Sequence, residues 1–254
     1  MTKTIIITSG GTAEPIDKVR KITNMSTGRL GAIIAERFLN NYNGGFKVHV
    51  IYVHSKGSIL PNHTWSGSEL TYVQASSTQE VYDALQNLLT TQKIDAVIHS
   101  MAVSDYTVDY LTSTSLVGDA VCSRVMVPSD VMELLDSLPD EYRIDNSAKV
   151  SSNEGGLLIK LKKTPKIISK IKEWSPDTML VGFKLLNGVS KDELISVARE
   201  LLLKNQCEYV VANDLTSIRE GKHIAYVVTA NDVIAELDTK EKIAGSLVSL
   251  ISKS

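Results

Sequence analysis

The sequence predicts an α/β fold: a doubly wound, mostly parallel, Rossmann-like sheet with a β-rich extension and a flap. Three observations carry this. Short β-branched runs recur, bounded by turn residues, as at Ile5–Ile7, 47–54, 94–103, 178–185 and 208–214. Stretches with helical spacing of apolar residues lie between most of them. Strands that alternate with helices form parallel sheets through right-handed crossovers, with helices on both faces.

Each element follows from its own pattern. KTIIIT (3–8) is a buried strand. Leu30, Ile33, Ile34, Arg37 and Phe38 fall at helical spacing, with Ser26 or Thr27 as N-cap. KVHVIYVH (47–54) alternates and is a strand, with His49 on the face opposite Val48 and Val50, in an edge or surface position. STQEVYDALQNLL (77–89) is a helix capped by Thr78, and IDAVIHSMAV (94–103) is a buried strand. Residues 107–156 are rich in Ser, Thr, Asp, Asn and Gly, with one short helix in SDVMELLDSL and a loop in NSAKVSSNEGG, and read as a flap or insertion within a single 1–254 domain. The alternating order then resumes. LLIKLK is a strand, TPKIISKIKEW a helix, TMLVGFKL a strand, and SKDELISVARELLLKN a helix opened by a Ser190–Glu193 capping box. EYVVAND is a strand, AYVVTANDVIAELD a hairpin, and KEKIAGSLVSLISK a closing amphipathic helix.

Composition bounds the function. The 254 residues are 43% hydrophobic and 22% charged, with a formal net charge of −2. This is a soluble globular balance, with no basic face for nucleic acid and no apolar run long enough for a membrane span or a signal-peptide core. The expected location is cytoplasmic. Cys122 and Cys207 form neither a disulfide framework nor a ligand pattern, and the five histidines have no metal-ligand spacing. No protein-held metal site is expected.

Chemistry is expected in the loops after the strands. Ser9-Gly10-Gly11-Thr12 and Ser26-x-Gly28-x-x-Gly31 suit an anion, because glycine lets backbone N–H groups close on phosphate oxygens and a helix N-terminus adds its dipole. The same glycines equally suit a turn and close helix–sheet packing. G-x-G-x-x-G and G-x-x-x-x-G-K-[ST] are both absent, as is an acid at the end of KVHVIYVH, which argues against a nicotinamide-dependent reductase. Arg20 is a fork for phosphate or carboxylate, or an ion-pair partner of Asp17 or Glu14. Asp105 is a binder of a hydroxyl or a metal-bound phosphate, or a turn former. Spacing alone leads to a nucleotide-like anion and stops there.

GGTAEPIDKVRKITNMSTGRLG (10–31) resembles the signature of phosphopantothenate–cysteine ligases (phosphopantothenoylcysteine synthetases) of coenzyme A biosynthesis. AVSDY (102–106), KLKKTPKII (160–168), LVGFK (180–184) and VVANDL (210–215) follow in the family's order, so the resemblance covers essentially the whole chain. It implies that 4′-phosphopantothenate is joined to L-cysteine through an acyl-nucleotidylate, with CTP or ATP as the nucleotide and Mg²⁺ required. The alternative is a non-catalytic nucleotide-binding module on the same fold. The family is dimeric with shared sites, so a homodimer is implied. The flavin-dependent domain that precedes this one in many bacteria is not expected here, and neither is flavin. By resemblance Gly10, Ser26, Gly28 and Gly31 hold the nucleotide phosphates, and Phe183 and Asn213 the base or ribose side. Asn24, Ala102 and Asp105 hold phosphopantothenate, and Arg20 reaches the substrate phosphate of the neighbouring subunit. Asn24 donates its amide to the reacting carbonyl, and Lys204 is a lysine for the triphosphate. The 107–156 segment and the lysine-rich strand after it (Lys160, Lys162, Lys163) are expected to shield the intermediate from water.

Overall fold

The three isoleucines of the first strand explain the central sheet. Ile5 and Ile7 point into one apolar cluster and Ile6 into another, all three without exposure. A strand buried on both faces is what a parallel sheet covered by helices requires. A computed structural model describes residues 2–40, 47–63, 67–124, 127–152, 155–219 and 222–253.

In chain order the elements are β1 (Thr2–Ser9), β2 (Ala13–Pro15), β3 (Lys21–Thr23), α1 (Arg29–Leu39), β4 (Lys47–His54), β5 (Glu69–Gln74), α2 (Thr78–Thr91) and β6 (Ala96–His99). Then follow β7 (Tyr106–Ser113), α3 (Thr114–Arg124), α4 (Pro128–Asp136), a 3₁₀ turn (Asp140–Tyr142), β8 (Leu157–Lys163) and α5 (Ile167–Trp174). The chain closes with β9 (Met179–Leu186), α6 (Lys191–Asn205), β10 (Tyr209–Arg219), β11 (Lys222–Val228), β12 (Val233–Leu237) and α7 (Lys240–Ser252). It divides into two compact units. The first comprises 1–12, 24–103 and 166–254, and the second 13–23 and 104–165.

The first unit holds an eight-stranded sheet in the order β12-β11-β10-β9-β6-β1-β4-β5. Strands β10, β9, β6, β1, β4 and β5 pair in parallel, and β11 and β12 add an antiparallel edge. α1 and α7 cover one face through Ile34, Phe38, Ile243 and Leu247. α2, α5 and α6 cover the other through Leu85, Ile171 and Ala198. The doubly wound expectation holds. The strand order reverses between β1 and β6, the place where such sheets open a crevice.

The second unit contains the β2–β3 hairpin and a β7–β8 ribbon, with α3, α4 and the 3₁₀ turn around a small cluster of Tyr110, Ala120, Leu134 and Leu138. LLIKLK is a strand as expected, but it pairs with β7 and is not part of the central sheet. The α/β order therefore resumes at α5. The sequence patterns predict neither the short β2 and β3, nor β5, β7, α3 and the 3₁₀ turn. β5 is an edge strand with no strongly buried side chain, so no apolar alternation marks it. α4 matches the expected short helix, and the described part of NSAKVSSNEGG carries no helix or strand.

Helix caps differ in detail. α1 is capped by Gly28 at φ 75°, not by Ser26 or Thr27. α2 is capped by Ser77, one residue before Thr78, in a full capping box with Glu80. Ser190 accepts from the Glu193 N–H and so supplies its half of the expected box.

Candidate functional site

The loops that leave β1 and β6 in the first unit are tied together residue by residue. The Ala102 N–H donates to the Gly10 carbonyl (2.9 Å), and the Thr12 N–H donates to the Ala102 carbonyl (3.0 Å). The Asn24 N–H donates to the Thr12 carbonyl (3.2 Å), and the Ser26 N–H to the Asn24 carbonyl (3.0 Å). The Asn24 carboxamide nitrogen donates to the Ala102 carbonyl at 3.1 Å. Asn24 is thus fixed by backbone and side chain against the loop after β6, half-buried with its carboxamide beside Ala102.

The glycines make this approach possible. A Cβ on Gly11 would stand 2.5 Å from the Asn24 carbonyl oxygen. A Cβ on Gly10, at φ +93°, would stand 2.0 Å from Ser58 Oγ and 2.3 Å from Ser55 Oγ. Gly28 and Gly31 pack on Ser9, whose hydroxyl donates to the Gly28 carbonyl at 2.9 Å. The close-packing reading of the glycine clusters therefore has a direct structural basis. It is compatible with anion binding, because Ser26 and Thr27 at the opening of α1 remain exposed. Ser58 packs on Gly10 and Gly28, a contact that no local pattern signals. Its relevance comes from the turn after β4, where the Ile59 N–H donates to the Thr27 carbonyl (2.9 Å).

Phe183 and Asn213 lie on neighbouring strands of the same sheet, with Phe183 paired to Val211 and Asn213 to Leu185. Asn213 is buried and Phe183 half-buried. These two belong to the same sheet as the Gly10–Ala102 loop pair, connected to it through the adjacent parallel strands β1, β6, β9 and β10.

Lys204 is elsewhere. α6 connects β9 to β10, which are parallel, so the helix runs antiparallel to them and its last turn returns to the edge where the strands begin. Lys204 is exposed in that last turn, thirteen residues after Lys191 and so about 20 Å along the helix. The Glu208 N–H next to it donates to the Leu180 carbonyl near the start of β9. The structure does not bring Lys204 to the glycine loops, which corrects the expectation drawn from the motif. A cation there suits the helix dipole.

Arg20 and Asp105 belong to the second unit. Arg20 takes the ion-pair alternative: its Nε and Nη2 donate to Asp17 Oδ2 at 3.0 and 2.6 Å, and Nη2 also donates to the Val150 carbonyl at 3.0 Å. Asp17 is buried and additionally accepts from the backbone N–H groups of Val19, Arg20 and Val150. The Arg20 guanidinium, with these N–H donors, holds the Asp17 carboxyl far below the usual carboxylate range. Asp105 is exposed, and its carbonyl accepts from the Thr164 N–H at 3.1 Å. In the same unit Lys160 bridges Asp109 and Asp136, and Lys162 pairs with Asp109.

Among the described residues no group of three His, Cys, Asp or Glu is placed to hold a metal ion. Cys122 is exposed and Cys207 buried, its thiol pushed up to about 12 by burial. No described helix is long and apolar enough to cross a membrane.

Fold and loops together define a class: a doubly wound α/β protein with paired glycine loops and a fixed asparagine at the strand ends. Residues 1–116 and 140–254 match the DNA/pantothenate metabolism flavoprotein C-terminal domain. The chain belongs to that family. It is 36% identical to the DNA/pantothenate metabolism flavoprotein of Streptococcus pneumoniae in its crystal structure, with a TM-score of 0.80 and coverage of 100% of this chain and 99% of that one. It is 31% identical to the phosphopantothenate–cysteine ligase of Mus musculus, over 97% of this chain and 82% of the mouse protein. It is 29% identical to the coenzyme A biosynthesis bifunctional protein CoaBC of Thermococcus kodakarensis, over 99% of this chain. The chain spans about half the length of such bifunctional relatives, 51% and 50% in two of them.

Proposed function

We propose that the protein is a phosphopantothenate–cysteine ligase acting in coenzyme A biosynthesis. The observation that carries this reading is the Asn24 carboxamide, pinned at 3.1 Å to the Ala102 carbonyl next to glycine loops that face a helix N-terminus. The likeness to the mouse enzyme of that name supports it.

A carboxylate does not acylate an amine at a useful rate, so it is first given a phosphate leaving group. In the proposed sequence the carboxylate oxygen of 4′-phosphopantothenate attacks the α-phosphorus of CTP or ATP. The P–O bond to the β-phosphate breaks, pyrophosphate leaves, and an acyl-nucleotidylate remains. The amine of L-cysteine then attacks the acyl carbon, loses a proton, and expels the nucleoside monophosphate to leave the amide. Neither step moves electrons to an acceptor, so no flavin is needed.

Backbone N–H groups near Gly10, Gly28 and Gly31, with the Ser26 hydroxyl and the dipole of α1, would hold the phosphates. Phe183 and Asn213 would meet the base or ribose. Asn24 would donate to the reacting carbonyl, with Ala102 beside it. Arg20 and Asp105 of the second unit are proposed as ligands of the acid substrate, Arg20 in a homodimer with shared sites. A Mg²⁺ would arrive on the triphosphate, keep its own waters and offset phosphate charge. The proposed location is the cytoplasm.

The test is pyrophosphate release by the purified protein with each nucleoside triphosphate in turn. Release that requires phosphopantothenate, with CTP or with ATP, is the expected result. No release with any triphosphate would sink the reading.

A further inference from the structure

His99 ends β6, is 7% exposed, and has no part in the chemistry proposed above. Its Nδ1 lies 2.9 Å from the Thr8 hydroxyl on the adjacent strand β1. Proton accounting fixes the direction of this bond. Thr8 Oγ1 already accepts from the Met101 N–H at 3.2 Å. The hydroxyl's own proton has one acceptor among the described residues, His99 Nδ1, so the imidazole is neutral with its proton on Nε2. Burial favours the same state, pushing His99 down to about 4.

The bond is the base of a ladder. The Ser100 hydroxyl donates to the Thr8 carbonyl at 2.7 Å. The Met101 N–H reaches the Thr8 hydroxyl, and the Ala102 N–H the Gly10 carbonyl. At the top, the Ala102 carbonyl accepts from both the Thr12 N–H and the Asn24 carboxamide. Every residue from His99 to Ala102 is tied to the run from Thr8 to Thr12, and the last rung orients Asn24.

We propose that the Thr8–His99 pair is a positioning device for Asn24, setting the height of the Ala102 carbonyl and so the aim of the Asn24 amide at the reacting carboxylate. The proposal rests on the ligase reading for its activity readout, and on the hydrogen-bond ladder alone for its structural one.

His99→Leu removes the acceptor, whereas His99→Asn keeps an oxygen near the Nδ1 position. Thr8→Val removes both roles of the hydroxyl, whereas Thr8→Ser keeps them. Pyrophosphate release by His99→Leu and Thr8→Val should fall about ten- to a hundredfold in kcat, as expected of a small misplacement of a reacting group. The nucleotide KM should stay unchanged, and His99→Asn and Thr8→Ser should recover most of kcat. The side-chain amide signal of Asn24 in ¹⁵N-labelled protein, identified by its loss in Asn24→Ala, should move in His99→Leu and return in His99→Asn. If His99→Leu does not fold, the Thr8 pair carries the same test. Wild-type kcat in Thr8→Val, or an unmoved Asn24 signal, overturns the proposal. A wild-type protein that releases no pyrophosphate overturns the ligase reading instead, and the amide signal still decides the positioning.

Discussion

The stretch from Gly10 to Gly31 passes through both compact units, and each unit holds its part by different means. In the first unit the hold is close approach. Gly11 lies against the Asn24 backbone, Gly31 against Ser9, and no side chain could be added at either without moving a neighbour. In the second unit the hold is charge. One buried carboxylate, Asp17, gathers Arg20 and the N–H groups of Val19, Arg20 and Val150. The apolar support differs as well. Two large clusters flank the sheet, whereas Tyr110, Ala120, Leu134 and Leu138 make up the cluster of the second unit. Geometry set by backbone packing is rigid and insensitive to pH, whereas geometry set by one buried charge depends on that charge. A site element that must hold Asn24 in one pose is better built the first way.

The comparison breaks most visibly at Gly11. Gly11→Ala should lower pyrophosphate release by more than about a hundredfold while the protein stays folded, because the intruding methyl meets a backbone oxygen that cannot rotate away. Wild-type turnover would show that Asn24 tolerates displacement.

Asp17→Asn is the counterpart in the second unit. It should raise hydrogen exchange at residues 17–20 and 150 and leave the sheet strands unchanged. The wild type should show the same loosening in acid. The Asp17 carboxyl is depressed on folding, so its contribution is complete above the unfolded value of about 4 and is lost as the pH falls below it. Equal exchange at about pH 5 and about pH 2.5 would contradict this.

A smaller effect is expected at the antiparallel edge. His223 in β11 is buried with no hydrogen-bond partner for either ring nitrogen among the described residues, and burial, with Lys240 nearby, pushes it down to about 4. Between that value and 6.5 the unfolded chain binds a proton that the folded one does not, so stability falls as the pH drops through this window. In His223→Phe the thermal midpoint should fall less steeply from pH 7.5 to pH 5 than in the wild type, by a few degrees, with the His99 contribution remaining. Parallel curves would refute the assignment.

The smallest effect is expected at Gly118 in α3, where a Cβ meets nothing within 4 Å. Gly118→Ala should leave turnover unchanged and stabilise by about 1 kcal/mol or less through helix propensity, read by thermal denaturation.

The same contrast explains what could be read from the sequence. The inner strands of the parallel sheet announce themselves because both their faces are apolar, as with Ile5–Ile7 and Val210–Ala212. The glycine signature announced the first loops because close approach leaves only glycine as a choice. β5 and α3 gave little signal because β5 buries no side chain and α3 buries Ala120 alone, and β7 gave little because half of its buried run, Tyr110–Ser113, is polar. β8 read correctly as a strand, but its partner is fixed by register with β7, which no local pattern encodes. Lys204 is carried over from the family resemblance although its spacing to Glu208 departs from the family's, and the direction of α6 carries it to the end of the sheet where β9 and β10 begin. The Thr8–His99 bond joins two strands, and the Ser58 contact two loops, that are far apart in sequence, so they become visible only once the sheet is assembled.

The most direct test of Asn24 at the centre of the site omits cysteine. With phosphopantothenate and a triphosphate labelled at the α-phosphate, the wild type should form a labelled acyl-nucleotidylate in a single turnover, and Gly118→Ala should form as much. Asn24→Ala should form little or none while still binding the triphosphate. Wild-type amounts of the labelled intermediate in Asn24→Ala would contradict the account.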